Sequence, residues 1–208
     1  MTETTADPTP SAVLWDVGNV LLRWDPLCLY RTLFEDPDEL EHFVSNVWTS
    51  SHNLRCDGGE PYATVMEEVI AEHPRYEAQV RAVLDRWIET IPGPVDGMLE
   101  ILEELKGVGV AQFGLTNFSA ETFPLVTGHP HFDLLDGVVV SGSLGFLKPD
   151  PRIFDVALQT AGVPAELALF IDDSPTNVDG ARALGIRSLV FVDAARTRAA
   201  LVDLGLLS

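Results

Sequence analysis

The chain reads as an α/β protein: a Rossmann-like, doubly wound parallel sheet of about five strands, with a small all-helical cap inserted near its start. Three observations lead there. Short apolar runs alternate with helical spacing of apolar residues through residues 92–208. The stretch Pro26 to Ile91 carries helical patterns and no convincing strand. Polar residues able to do chemistry stand directly after several apolar runs, where an open α/β sheet gathers its ligand site.

Each element follows in order. Residues 1–11 are polar, lack the basic start and apolar stretch of a signal peptide, and read as a disordered tail. Ala12-Val13-Leu14-Trp15-Asp16 is a buried strand ending on a carboxylate, and Gly18-Asn19 is a turn. In the cap, helices are expected over Glu39–Trp48, Pro61–Ala71 and Tyr76–Ile91, with Thr49–Glu60 as a polar loop. Trp48 and Trp87 are expected as its core anchors, with a platform for a sugar or base as the alternative. Ile91-Pro92-Gly93-Pro94 punctuates the chain as a hinge. Beyond it come a helix (Val95–Lys106), a strand (Val110–Leu115), a short helix (Phe118–Val126) and a strand (Gly137–Val140). His129 and His131 are expected in a loop between these last two. A helix begun by Pro151 runs to Ala161, and Leu167–Ile171 is a strand. The helix Pro175–Leu184 closes on Gly185; strand Ser188–Val192 and helix Ala194–Leu204 end the chain. The division is therefore a tail (1–11), a core (12–24 and 92–208) and a cap (25–91).

Composition narrows the function. The 208 residues carry 32 acidic and 13 basic side chains, a formal net charge of −19. Nucleic acid and anionic membrane are poor partners for such a chain. Two cysteines, Cys28 and Cys56, make no disulfide framework and no zinc spacing. No apolar run approaches the length of a membrane span. A cytoplasmic monomer or homodimer is the expectation.

The strand-end residues suggest the chemistry. Asp16, Asp172 and Asp173 converge, and carboxylates that close repel unless neutralised. Mg2+ takes oxygen ligands, one or two carboxylates and substrate phosphate. A carboxylate can also act as a nucleophile and form an aspartyl-phosphate. Only two lysines occur, and Lys148 lies in an apolar loop before Pro149, a compact charge suited to phosphate.

Four segments carry a resemblance. Asp16-Val17-Gly18-Asn19-Val20, Leu115-Thr116-Asn117, Leu147-Lys148-Pro149 and Phe170-Ile171-Asp172-Asp173-Ser174 resemble, in order, the motifs of the haloacid dehalogenase superfamily. The resemblance implies a Mg2+-dependent phosphatase acting on a small phosphorylated metabolite, a sugar phosphate first. It makes Asp16 the nucleophile, with Thr116 and Asn117 on the phosphoryl oxygens and Lys148 neutralising charge. Asp173, Asp16 and the Gly18 carbonyl would hold the metal, with Asp172 as ligand or support and Asn177 behind it. Asn19 would offer backbone N–H groups to the anion. Phosphatases of that superfamily usually have Asp where this chain has Gly18, so a proton donor is missing; Asp25, His52 and Asp57 are substitutes to weigh. In the cap, His52 and Arg55 are expected to face substrate, and Arg55→Ala to raise KM. Two other readings stay open: a degenerate member that binds a phosphorylated ligand or a protein without turnover, and a metal-free 2-haloacid dehalogenase.

Overall fold

The structure is a computed structural model and describes residues 8–208. Strand β1 (Ala12–Trp15) leads to the two-residue strand β2 (Leu22–Arg23) and then the cap. The cap holds α1 (Leu27–Tyr30), α2 (Pro37–His42), α3 (Ser50–Asp57), α4 (Tyr62–Glu72) and α5 (Glu77–Asp85). A second two-residue strand, β3 (Gly93–Pro94), brings the chain back. The core continues through α6 (Met98–Gly107), β4 (Ala111–Thr116), α7 (Pro130–Asp133), β5 (Gly137–Val140) and α8 (Pro151–Ala161). It ends with β6 (Ala168–Asp172), α9 (Pro175–Ala183), β7 (Arg187–Val190) and α10 (Ala194–Asp203).

The main sheet has the order β5-β4-β1-β6-β7, and every pairing is parallel. Side chains alternate across it, as the two-residue period of a strand requires. Val13, Trp15, Leu169 and Ile171 pack on one face with Met98, Ile101, Leu102 and Leu105 of α6 and Leu201 of α10. Ala12, Leu14, Ala168 and Phe170 pack on the other with Ile153, Phe154 and Ala157 of α8 and Ala181 of α9. Both faces are covered, which is why the strands read as continuous apolar runs. A buried polar group, Gln112, is satisfied: its amide donates to Leu102 O at 2.9 Å and accepts from the Trp15 indole at 3.2 Å.

The cap has an aromatic centre of its own. Phe43 lies 5.6 Å from Tyr30, 5.1 Å from Phe34 and 5.8 Å from Tyr76, ring centre to ring centre. Trp48 and Trp87 are buried, and Trp87 meets Phe118 of the core at 5.1 Å. The cap leaves and rejoins the core through β2 and β3, which pair antiparallel, Leu22 with Pro94 and Arg23 with Gly93.

Several local expectations change. Thr49–Glu60 is not a loop: Ser50–Asp57 is helical, because Thr49 and His52 form a reciprocal capping box at its start. Phe118–Val126 gives only the short turn Phe123–Leu125. His131 sits in the four-residue helix α7 and is buried. Of the expected tail, residues 1–11, the first seven lie outside the described residues. Within 8–11, Pro10 is buried and the Ser11 N–H donates to Leu167 O at 2.8 Å, so these two residues pack on the core and are not tail. Among the described residues no helix is long and apolar enough to cross a membrane.

Candidate active site

Strand ends bring the chemistry together. Asp16 follows β1, Asn117 follows β4, Lys148 lies in the loop after β5, and Asp172-Asp173 closes β6. The central feature is the Lys148 ammonium, which is almost fully buried. It reaches Asp16 Oδ1 at 2.7 Å, Asp172 Oδ2 at 2.7 Å and Leu115 O at 2.8 Å. Its three protons thus have three acceptors. The main chain of Lys148 is clasped by Asn117: the Lys148 N–H donates to Asn117 Oδ1 at 2.7 Å, and Asn117 Nδ2 donates to Lys148 O at 3.1 Å.

Asp172 is fixed just as closely. Asn177 Nδ2 lies 3.0 and 3.1 Å from its two oxygens, and the Ser174 N–H donates to Oδ1 at 2.8 Å. Asp16 accepts from the Val17 N–H at 2.7 Å. Asp173 is exposed and hydrogen-bonded by the Asn19 side chain. Asn19 takes a left-handed backbone (φ 57°), which Asn tolerates better than most residues. Its N–H donates to Leu22 O at 2.7 Å and its Oδ1 accepts from the Trp24 N–H at 3.1 Å. It therefore braces the turn after β1.

The electrostatics are unbalanced towards negative charge. Burial pushes the Asp16 carboxyl up to about 7 against the pull of Lys148, and Asp172 and Asp173 add to the rise. Burial also opposes the Lys148 ammonium, yet Asp16 and Asp172 outweigh it and hold its pKa above the usual lysine value. Burial and then Asp172 raise Asp173. One ammonium among three carboxylates leaves room for further positive charge. Asp16, Asp172 and Asp173 each offer an oxygen, and these oxygens lie within 4.8 Å of one another. That hard-oxygen set fits Mg2+.

A cavity of about 360 Å³ opens above this cluster. Asp16, Gly18, Asn19, Asn117, Lys148, Asp173 and Asn177 line its floor. Trp24, Asn53, Leu54, Asp57, Tyr62, Trp87, Ile91 and Phe118 supply its upper wall. Asp172 lies fully buried below the floor, and Thr116 is buried at the end of β4, outside the lining.

Three expected substrate contacts are absent from that lining. Arg55 is held by Glu60 and by Glu68, the latter at 2.7 Å. His52 Nδ1 accepts from the Thr49 N–H at 3.0 Å and is occupied in the capping box. Asp25 accepts from the Leu27 N–H at 2.9 Å and caps the start of the cap. Local partners have taken these side chains, as polar residues near helix ends commonly do. Asp57, by contrast, does reach the cavity, as does Trp87, while Trp48 lies outside the lining; Trp24, Tyr62 and Phe118 carried no expectation as wall residues. A capping-box spacing, Thr49 to His52, was the available signal for the helix that carries Asp57.

Comparison with known proteins agrees with this geometry. A family model described as haloacid dehalogenase-like hydrolase matches residues 10–185. Sesquiterpene phosphatase astK of Aspergillus oryzae is 27% identical over 190 residues, covering 91% of this chain and 93% of that protein. Drimenol cyclase drtB of Aspergillus calidoustus is 26% identical over 186 residues, 86% of this chain but 34% of that protein, so the chain spans about a third of its length. The HAD family enzyme bt-2542 of Bacteroides thetaiotaomicron, solved as a magnesium complex, has a TM-score of 0.71 at 18% identity, covering 94% of this chain and 99% of that one.

Proposed function

This chain belongs to the haloacid dehalogenase-like hydrolase family, and from that premise we propose that it is a Mg2+-dependent phosphatase of small phosphate monoesters, working through an aspartyl-phosphate on Asp16. One observation carries the reading: a buried ammonium bridges Asp16 and the fully buried Asp172, with Asp173 beside them at the cavity floor. Asp16 attacks phosphorus. Lys148 offsets charge on the nucleophile and on the phosphoryl oxygens, and keeps Asp16 aimed. Asn117 fixes Lys148 through its main chain, and Thr116 sets the end of β4. Asp16, Asp173 and the Gly18 carbonyl would hold Mg2+, with Asp172 and Asn177 behind them. The bound cation would supply charge stabilisation for the transferring phosphoryl group.

The cap wall bears on the substrate. Trp24, Leu54, Tyr62, Trp87, Ile91 and Phe118 are largely apolar surface above the reacting carboxylate. Sugar hydroxyls set against those six side chains would lose hydration and find few partners beyond Asn53 and Asp57. An ester of an apolar alcohol, alkyl or prenyl, fits better than the sugar phosphate expected from sequence. The name of the sesquiterpene phosphatase relative points the same way.

The test is phosphate release by the purified protein over alkyl, prenyl and hexose monophosphates, with Mg2+ and with chelator. Turnover with Mg2+ that disappears in Asp16→Asn is expected, with kcat/KM favouring the apolar esters by about tenfold or more. Binding of these esters with no turnover would favour the degenerate member. Halide release from 2-haloacids in chelator would favour the dehalogenase. A preference for hexose phosphates would overturn the apolar substrate class alone.

A further inference from the structure

We propose that Asp57, the last residue of α3 in the cap, is the proton donor and acceptor of the reaction, in the role that Gly18 cannot fill. This deepens the phosphatase reading and rests on it.

The need comes from chemistry. An alkoxide is a poor leaving group, and an ester of an aliphatic alcohol departs readily only if a proton reaches the bridging oxygen. Gly18, two residues after the nucleophile, has no side chain. A Cβ placed there would meet no heavy atom within 4 Å, so the space beside Asp16 is open to a group arriving from elsewhere. Among the cavity's lining residues three are carboxylates: Asp16, Asp57 and Asp173. Asp16 is the nucleophile and Asp173 belongs to the cation cluster. Among the described residues no histidine lines the cavity. The Tyr62 hydroxyl is pushed upward by burial, which makes it a poor proton acceptor near neutrality. Asp57 is what remains.

The core also holds Asp57 in place, through the loops after the neighbouring strands β4 and β5. The Ser119 N–H, from the loop after β4, donates to its carboxylate. The Ser141 hydroxyl, from the segment after β5, donates to its carbonyl at 2.6 Å and accepts from the Phe118 N–H at 2.9 Å. Two core loops thus fix one cap residue at the wall of the cavity that Asp16 also lines. Burial pushes the Asp57 carboxyl up to about 7, against the opposing Ser119 hydrogen bond. Such a group is neutral in useful amounts when the ester is cleaved and ionised in useful amounts when water attacks.

The two steps balance. In the first, an Asp16 oxygen bonds to phosphorus, the bond from phosphorus to the alcohol oxygen breaks towards oxygen, and the Asp57 proton passes to that oxygen. Alcohol leaves and Asp57 is a carboxylate. In the second, water attacks phosphorus, Asp57 takes a water proton, and the bond to Asp16 breaks back to the carboxylate. Inorganic phosphate leaves, and both residues are restored. Because the acid sits on the cap, proton transfer requires the closed cap–core arrangement seen here.

The experiment compares leaving groups. Wild type and Asp57→Asn are assayed with an alkyl phosphate and with 2,4-dinitrophenyl phosphate, whose leaving group needs no proton. Asp57→Asn is expected to lose about 10²–10⁴-fold on the alkyl ester. On the dinitrophenyl ester it should release one equivalent of phenol rapidly and then slow, as the aspartyl-phosphate accumulates. Asp57→Glu should recover part of the alkyl turnover. Equal losses on both esters without a burst would overturn the inference, as would full alkyl turnover. Should Asp57→Asn not fold, the wild type decides: kcat/KM should depend weakly on leaving-group pKa across an ester series, and a steep dependence rejects an internal acid. Absence of phosphate release from any ester by wild type would instead sink the phosphatase reading.

Discussion

Replacing Lys148 by Met would strand two buried carboxylates, Asp16 and Asp172, that now share its ammonium. The expected cost is about 3–5 kcal/mol of stability, read as a lower urea midpoint, together with loss of phosphate release. An unchanged midpoint would contradict the buried triad. Asp57 has a separate signature in stability. Its carboxyl titrates at about 7 in the fold against 3.8 as a free side chain. Between those values the native state holds more protons than the unfolded one, so this residue's contribution is fully present below about 3.8 and is lost as pH rises towards 7. In Asp57→Asn the fall in Tm across that window should be shallower than in wild type; parallel curves would remove the raised pKa. At this scale the core was largely readable. Asp16, Asn117, Lys148, Asp172 and Asp173 announce themselves because strand ends in a parallel sheet must converge. The cap residues did not: the capping-box spacing of Thr49 and His52 is the one local signal, and nothing in Arg55 reveals that Glu60 and Glu68 will take it.

Helix α3 commits Arg55 and His52 to its own support and leaves Asn53, Leu54 and Asp57 on the cavity wall. Arg55→Ala should therefore leave KM for phosphate esters unchanged and slightly lower Tm, the reverse of the expectation drawn from sequence; a raised KM would restore Arg55 to the site. The seam between α3 and the segment after β5 is tighter. Gly59 has φ 96°, and a Cβ there would come within 2.9 Å of Gly142 O. A Cβ on Gly142 would lie 2.5 Å from Ala120 N and 2.7 Å from Phe118 O. Gly142→Ala is expected to cost about 1–3 kcal/mol, by the strain of overpacking. It should also lower kcat through displaced Asp57, with Tm and alkyl phosphate turnover as the readouts. The central strands and the helices α8 and α9 were legible because periodicity and capping agree there. Helix α3 was not, since only Cys56 of its eight residues is buried and it offers no apolar stripe. Strands β2 and β3 have two residues each, too few for any period to register.

The whole molecule joins cap and core through one apolar cluster, which runs from Val13 and Trp15 in the sheet to Val80 and Val83 in α5. Cap and core should unfold together, with far-UV and tryptophan signals giving a single midpoint; two midpoints would show the cap melting alone. The net charge of −19 acts at longer range. It repels an incoming phosphate ester until the ester reaches Lys148 and the cation, and salt shortens that repulsion to about 10 Å at 0.1 M. Hence kcat/KM should rise as NaCl goes from about 10 to about 150 mM at fixed Mg2+; a fall would mean that an attractive field dominates. The pairing of Leu22-Arg23 with Gly93-Pro94 has a further consequence. The two ends of the insert emerge side by side, so the sheet bears no strain from what lies between them. A different lid with neighbouring termini could be spliced there, provided that it covers the apolar surface the cap now shares with the core. The ancestry of the catalytic floor and the ancestry of its selectivity can therefore diverge within one gene.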